Sequence, residues 1–243
     1  MKGLTESTLD GWFKKTVGLL QPLHEVLKQE VFSCDYVQAD ETTVPVINRD
    51  KHKADKEYLW MVRSVMEKLV IFHYDEGSRA GAVIESLANQ YHFKGYLQCD
   101  GFAGYETAFK TNPGVQLVNC LVHIRRHFEQ ALDENREMAE HGLTQIQQVY
   151  KIEHGCNEVG LSYEERKKKR QELARPILEA MKTWMETEGI KYSPRSQAGK
   201  AITYAYTRWG NVMRCLEDGR LLWDNNLAYP NFLVIQTPSA IYA

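Results

Sequence analysis

The sequence predicts an α/β protein, and three observations carry that prediction. From Asp35 to about Glu76, three short segments rich in β-branched and aromatic residues follow one another, separated by polar turns. Between Ser78 and Gly142 helical and strand patterns alternate, and after about residue 130 the strand signal stops while apolar residues recur at helical spacing.

The first thirty residues read as helix. Ser7 or Thr8 can cap it, and Leu9, Trp12, Phe13, Leu19, Leu20, Leu23, Val26 and Leu27 recur at near-helical spacing. Pro22 is expected to divide this stretch into two helices or to begin the second. The piece from Ser7 is a packing helix or, alternatively, the second element of a helix-turn-helix whose first helix is missing. Three strands are then expected in "YVQADETTVPVI", "EYLWMVRSV" and "KLVIFHYDE", with "NRDKHKADK" as the first turn. Consecutive strands favour an antiparallel meander. "SRAGAVIESLANQYH" reads as a helix, "GYLQCDGF" and "VQLVNC" as strands, and "LVHIRRHFEQALDENREMAEHG" as one long helix. Further on, Leu173, Ile177, Leu178, Met181, Trp184 and Met185 mark one inner helix face, and Ala201, Tyr204, Ala205 and Trp209 another. The run "EERKKKRQE" is a solvated helix face, with a phosphate-contacting patch as the alternative.

Composition narrows the class without fixing a function. With 243 residues, 43% of them hydrophobic, the chain suffices for one large or two small domains, and a net charge of −2 means that any polyanion site rests on a local basic patch. Five scattered cysteines without a C-x-x-C pair favour free thiols in a reducing cytoplasm. No apolar run approaches the roughly 18 residues of a membrane span, and no secretory leader is evident, so a soluble intracellular protein without a membrane partner is expected.

Two acids stand out by position. Asp40 lies among apolar neighbours in the first strand, and Asp100 ends the fourth strand directly before Gly101. A buried carboxylate needs a compensating partner. In a three-strand meander followed by a helix and a strand, the first and fourth strands can lie side by side, which brings the two acids together. Strand-borne acids also occur as edge or turn residues; the sharper alternative is a pair of hard oxygen ligands for Mg²⁺ or Mn²⁺. Cys120, His123 and His127 have ligand-like spacing, but an obvious fourth zinc ligand is missing.

Taken together, "DYVQADETTVPV", "YLWMVRS", "GYLQCDGFAGY", "NCLVHIRRHFEQA", "VYKIEH", "SPRSQAGKAITYAYTRW" and "LEDGRLLWDNNLA" resemble the insertion-sequence-66 transposases of bacterial mobile elements, from about Leu4 to Ala228. The resemblance implies an RNase H-like mixed sheet of five strands with helices, plus a mainly helical insertion, and DNA transposition by DDE-type strand cleavage and transfer. Asp40 and Asp100 match the first two metal-holding catalytic acids. His123, Arg125 and Arg126, at a helix start after a strand, are then expected near the centre, contacting DNA phosphate. The alternative is that one Arg pairs with a core-edge acid while His123 packs. The implied segments are 1–33 (helical, a helix-turn-helix remnant in one reading), 34–130 (RNase H-like core), 131–215 (helical insertion) and 216–243 (return segment with an atypical tail).

The third acid of the family pattern, the Glu of D-N-N-x-A-E-R, falls on Tyr229, and the following Arg is replaced by Pro230. From Asn225 to Ala243 the chain has no charged residue. A phenol with a pKa near 10 is no hard anionic ligand at neutral pH. Asp224 lies five positions earlier, roughly 140° away on a helix, and Glu41 should face away from Asp40 across the strand. These departures imply a fragment without the family's N-terminal segments and with its C-terminal segment replaced by frameshift or deletion. Impaired catalysis is expected, with a non-catalytic DNA-binding or transposase-inhibiting remnant as the alternative. Partners implied are DNA and either a second copy or an intact transposase, in the bacterial cytoplasm and at the nucleoid when DNA is bound.

Overall fold

The computed structural model describes residues 5–48 and 52–226. Five strands form one mixed sheet, in the order β3-β2-β1-β4-β5. β1 (Tyr36–Asn48), β2 (Lys53–Ser64) and β3 (Val70–Tyr74) are the antiparallel meander; β4 (Gly95–Cys99) and β5 (Val115–Asn119) add on parallel to β1. The first and fourth strands are neighbours as the sequence implied, and the sheet with its helices is the expected RNase H-like arrangement. Strand signals were legible because Val, Ile, Tyr and Trp fit a half-buried pleat. β2 begins at Lys53, earlier than the apolar run suggests, because the ladder pairs Asn48 with Lys53 across a short connection. Pro45 is tolerated because β1 pairs β4 only over Tyr36–Gln38, so the proline lies where one side of the strand has no ladder to supply.

Strand alternation sends the two faces of the sheet to different cores. Val37, Ala39, Trp60, Val62, Leu97 and Cys99 pack with residues of α2 (Gly81–Gln90) and α3 (Ala103–Phe109). Tyr36 and Val118 join a second cluster with α4 (Leu121–Gln130), α5 (Arg136–Glu158), α7 (Arg175–Glu188) and α8 (Gln197–Met213). The helices beyond residue 130 therefore form a layer against the sheet, with α8 against both α4 and β5.

Several sequence expectations change. α1 is one helix, Glu6–Ser33, with Pro22 inside it and Thr5 as the cap. The lost hydrogen bond falls on an exposed face where the carbonyl of Gly18 can turn to water. The expected single helix from Leu121 is two: α4 ends at Gln130, and Asn135 caps α5 by accepting the Met138 N–H at 3.0 Å. Glu134 in that break accepts the N–H groups of Gln197 and Ala198, at 2.9 and 3.2 Å, and so fixes the start of α8. The short α3 was not foreseen. The basic run forms α6 (Tyr163–Lys169) and a π-helical turn, Arg170–Ala174, and it is not uniformly solvated: Arg170 is fully buried. Leu173, read as inner-facing, is 40% exposed in that turn.

Candidate active site

Asp40 is set by alternation along β1, on the face of Tyr36 and Gln38. The parallel register pairs Val37 with Leu97 and Gln38 with Gln98; carried on two residues, it puts Asp40 level with Asp100. The Asp40 carboxyl is pushed up to about 7, first by burial, then by the negative charges of Glu41 and Asp100. One oxygen of each carboxylate takes a backbone N–H, Glu41 to Asp40 at 2.9 Å and Phe102 to Asp100 at 2.8 Å. Each keeps a second oxygen to offer.

Glu41 is engaged elsewhere. Its side chain, 2% exposed, accepts Arg79 Nη2 at 2.8 Å and the Tyr105 hydroxyl at 3.1 Å. Burial and then the charge of Asp100 raise its pKa, while Arg79 and Tyr105 oppose the rise. Arg79 in turn lies over the Phe102 ring at 4.3 Å.

The turn carrying Asp100 is held by α8, which reasoning from sequence missed. Arg208 donates from Nε and Nη2 to the Gly101 carbonyl at 3.1 and 2.6 Å, with its guanidinium 4.0 Å above the Tyr204 ring. Asn119 Nδ2 donates to the Asp100 carbonyl at 2.8 Å, and Asn211 Nδ2 donates to Asn119 Oδ1 at 2.9 Å. The sequence signals were that Tyr204 falls on an inner helix face and that both residues lie inside a family-like stretch. Glycine at 101 follows from this packing: a Cβ there would lie 2.1 Å from Arg208 Nε and 2.3 Å from the Tyr204 hydroxyl. Gly101→Ala is therefore expected to destabilise the fold by about 1–3 kcal/mol through overpacking, read as a lower urea midpoint at unchanged slope; an unchanged midpoint would show that Arg208 yields freely.

At the start of α4, His123 lies within the electrostatic reach of Asp100 and of Arg126. Burial lowers the pKa of His123, with the charge of Asp100 acting against it, and its Nδ1 is buried without a protein partner. Arg125 is turned to its own helix, pairing with Glu129 at 3.1 Å on the exposed surface. His127 stands against the Tyr204 ring at 3.9 Å between centroids. Among the described residues no group of three or more His, Cys, Asp or Glu side chains is placed to hold a metal ion, which includes Cys120 with His123 and His127.

The return segment closes this side of the sheet. Leu222 donates its N–H to the Tyr36 hydroxyl at 3.1 Å and accepts Gln98 Nε2 at 2.6 Å; Gln38 Nε2 donates to the Asp224 carbonyl at 3.2 Å. The Asp224 carboxylate takes the Asn226 N–H at 3.0 Å and the Tyr150 hydroxyl at 3.4 Å. Gln38 Oε1 and Asn225 Nδ2 are buried without protein partners. Tyr229 and the charge-free tail lie outside the described residues.

Asp40, inside β1 just past its ladder with β4, and Asp100, directly after the end of β4, are thus the two carboxylates this side of the sheet brings together. Residues 2–229 match the model described as the Transposase IS66 family. The chain belongs to the IS66 transposase family. It is similar to two proteins of Sinorhizobium fredii (strain NBRC 101917 / NGR234) described as uncharacterized. It is 28% identical to y4qI over 238 residues, covering 92% of this chain and 43% of the relative. For y4hP the identity is 27% over 247 residues, covering 93% and 44%. This IS66 chain thus spans less than half the length of the curated relatives it matches. Among its described residues no helix is long and apolar enough to cross a membrane.

Proposed function

We propose that this chain carries the strand-cleaving and strand-joining core of a DNA transposase, with Asp40 and Asp100 as its catalytic, ion-holding acids and with activity greatly weakened by Tyr229 at the third acid's position. The observation that supports the pair most directly is the raised Asp40 carboxyl inside β1, pushed up by burial and by the charges of Glu41 and of the Asp100 that follows β4. Hard oxygen donors that repel one another, each with an oxygen to spare, fit Mg²⁺ or Mn²⁺. When bound, such ions activate an attacking oxygen and stabilise the leaving one in phosphodiester chemistry.

The protein's own part is positioning. Arg208 and Asn119 fix the Asp100 turn through its carbonyl groups. His123, within the electrostatic reach of Asp100, and Arg126, within that of His123, would meet an approaching phosphate, and Arg125 offers a further cation along the same helix after exchange with Glu129. A second reading, a non-catalytic DNA-binding or inhibitory remnant acting with an intact transposase copy, is favoured by one observation: among the described residues the nearest further acid, Glu41, is taken by Arg79. Either activity belongs in the bacterial cytoplasm, at the nucleoid once DNA is held.

The test is Mn²⁺-dependent nicking of a labelled duplex bearing the element's end, by the unmodified chain and by Tyr229→Glu and Asp100→Asn. Expected is weak or no nicking by the unmodified chain, a gain on the order of tenfold or more in Tyr229→Glu, and none in Asp100→Asn. Strong nicking by the unmodified chain that survives Asp100→Asn would refute the assignment. A gel shift on the same duplex without nicking in any variant would favour the second reading.

A further inference from the structure

Among the described residues, most of α1 has no partner. From Leu9 to Val26, eight large apolar side chains are about half exposed or more, from 49% at Leu9 to 81% at Leu19. Only its last turns dock on the body: Val31 and Phe32 are buried, Phe32 stacks on Tyr91 at 5.4 Å, and Glu25 accepts the Tyr91 hydroxyl at 2.8 Å. This face forms a seam of alternating four- and three-residue steps, Leu9, Phe13, Thr16, Leu20 and Leu23, running on into Leu27, which is partly buried against the body, and this is the heptad repeat of paired helices. Trp12, Leu19 and Val26 recur every seven residues along one flank of that seam. Gly11, Lys14, Lys15, Gly18, Gln21 and Pro22 occupy the outer face, so the proline lies where a partner helix would not meet it.

We propose that α1 is a homodimerisation helix, pairing antiparallel with α1 of a second copy about a two-fold axis near Gly18. The seam is self-complementary in that direction. Leu9 meets the second copy's Leu27, Phe13 its Leu23, and Thr16 its Leu20. On one flank Trp12 meets the smaller Val26, and Leu19 meets its own equivalent at the axis. On the other flank Val17 meets its equivalent, and Asp10 meets His24, a carboxylate opposite an imidazole that can donate to it. A parallel pair would instead set His24 against Leu19. The seam stops where Glu6 would face Glu30. The eight exposed apolar residues of each copy offer surface on the order of the roughly 800 Å² per partner that a stable interface buries. A closed two-fold pairing leaves no seam open for further copies. This inference is independent of the catalytic proposal.

Sedimentation equilibrium on the full chain tests it, with a dimer expected at micromolar concentration and a monomer for Leu20→Glu/Leu23→Glu, whose changes touch nothing in the body. Disulfide trapping tests the direction in a Cys34→Ser background: Leu19→Cys is expected to link to itself, whereas Phe13→Cys is not. A monomeric unmodified chain overturns the proposal. So does a monomer that instead binds phosphatidylcholine vesicles, which would assign the seam to a lipid surface. Linking at Phe13→Cys but not Leu19→Cys overturns the antiparallel pairing.

Discussion

Arg170→Met is expected to destabilise the fold by about 3–5 kcal/mol, the range for removing one member of a buried ion pair. Arg170 has no exposed surface, and its Nε and Nη2 grip the two oxygens of Glu153 at 2.8 Å each. Its Nη1 donates to the carbonyls of Cys215 and Asp218 at 2.9 and 3.3 Å, and its guanidinium lies 5.2 Å from the centre of the Trp223 ring. One side chain thus ties α5, the π-helical turn and the return segment together. Glu153 also receives Arg166 at 3.0 Å and Trp223 Nε1 at 3.2 Å, so some compensation survives and the loss belongs near the lower end. Arg170→Lys should recover little, because an ammonium cannot grip both carboxylate oxygens and two carbonyls in one plane. Urea unfolding monitored by circular dichroism measures the loss. A change below about 1 kcal/mol would mean that the network contributes little, and recovery in Arg170→Met/Glu153→Leu would trace the loss to the orphaned carboxylate.

Asp40→Asn should act in the opposite direction. The Asp40 carboxyl goes from 3.8 to about 7 on folding. Between those values the folded state holds a proton that the unfolded state has released, so stability falls as pH rises through this window and levels off above it. Three units correspond to roughly 4 kcal/mol at most, and about 3 kcal/mol is a working expectation above pH 7. In chelator-treated protein, Asp40→Asn is therefore expected to match the unmodified chain near pH 4 and to exceed it by about that amount at pH 8. Excess Mn²⁺ at pH 8 should raise the Tm of the unmodified chain and leave that of Asp40→Asn nearly unchanged. A stability difference that does not vary with pH would show that Asp40 is neither buried nor crowded by charge.

What the sequence disclosed follows from where its information is local. The strands were legible from β-branched and aromatic runs, and the approach of Asp40 to Asp100 followed from the order of elements alone. Glu41 was rightly read as facing away from Asp40, because strand alternation is local; that Arg79 would hold it there was not readable. The end of α4 was hidden because "ALDEN" is good helix sequence whose Asn135 and Glu134 find better use as caps. Arg170 was hidden in a basic run because burial depends on Glu153 and the return segment, distant partners no local pattern reports. Arg208 and Asn211, which fix the Asp100 turn, are ordinary polar residues of a helix until the sheet is beside them.

The seating of the return segment also dictates an order of assembly. Gln38 and Leu222 both depend on partners 186 positions away, Gln38 on the Asp224 carbonyl and Leu222 on the Tyr36 hydroxyl. During synthesis the meander and β4 can pair as soon as they emerge, and Gln38 Nε2 can then already donate to Gln98 Oε1 at 2.8 Å, while the remaining donor of Gln38 and the amide N–H groups of Gln98 wait for chain not yet made. Contacts of such long sequence separation form slowly and late. The carboxylate face of the sheet is thus the last surface to be finished, and until then a nascent chain keeps it open to water and to chaperones.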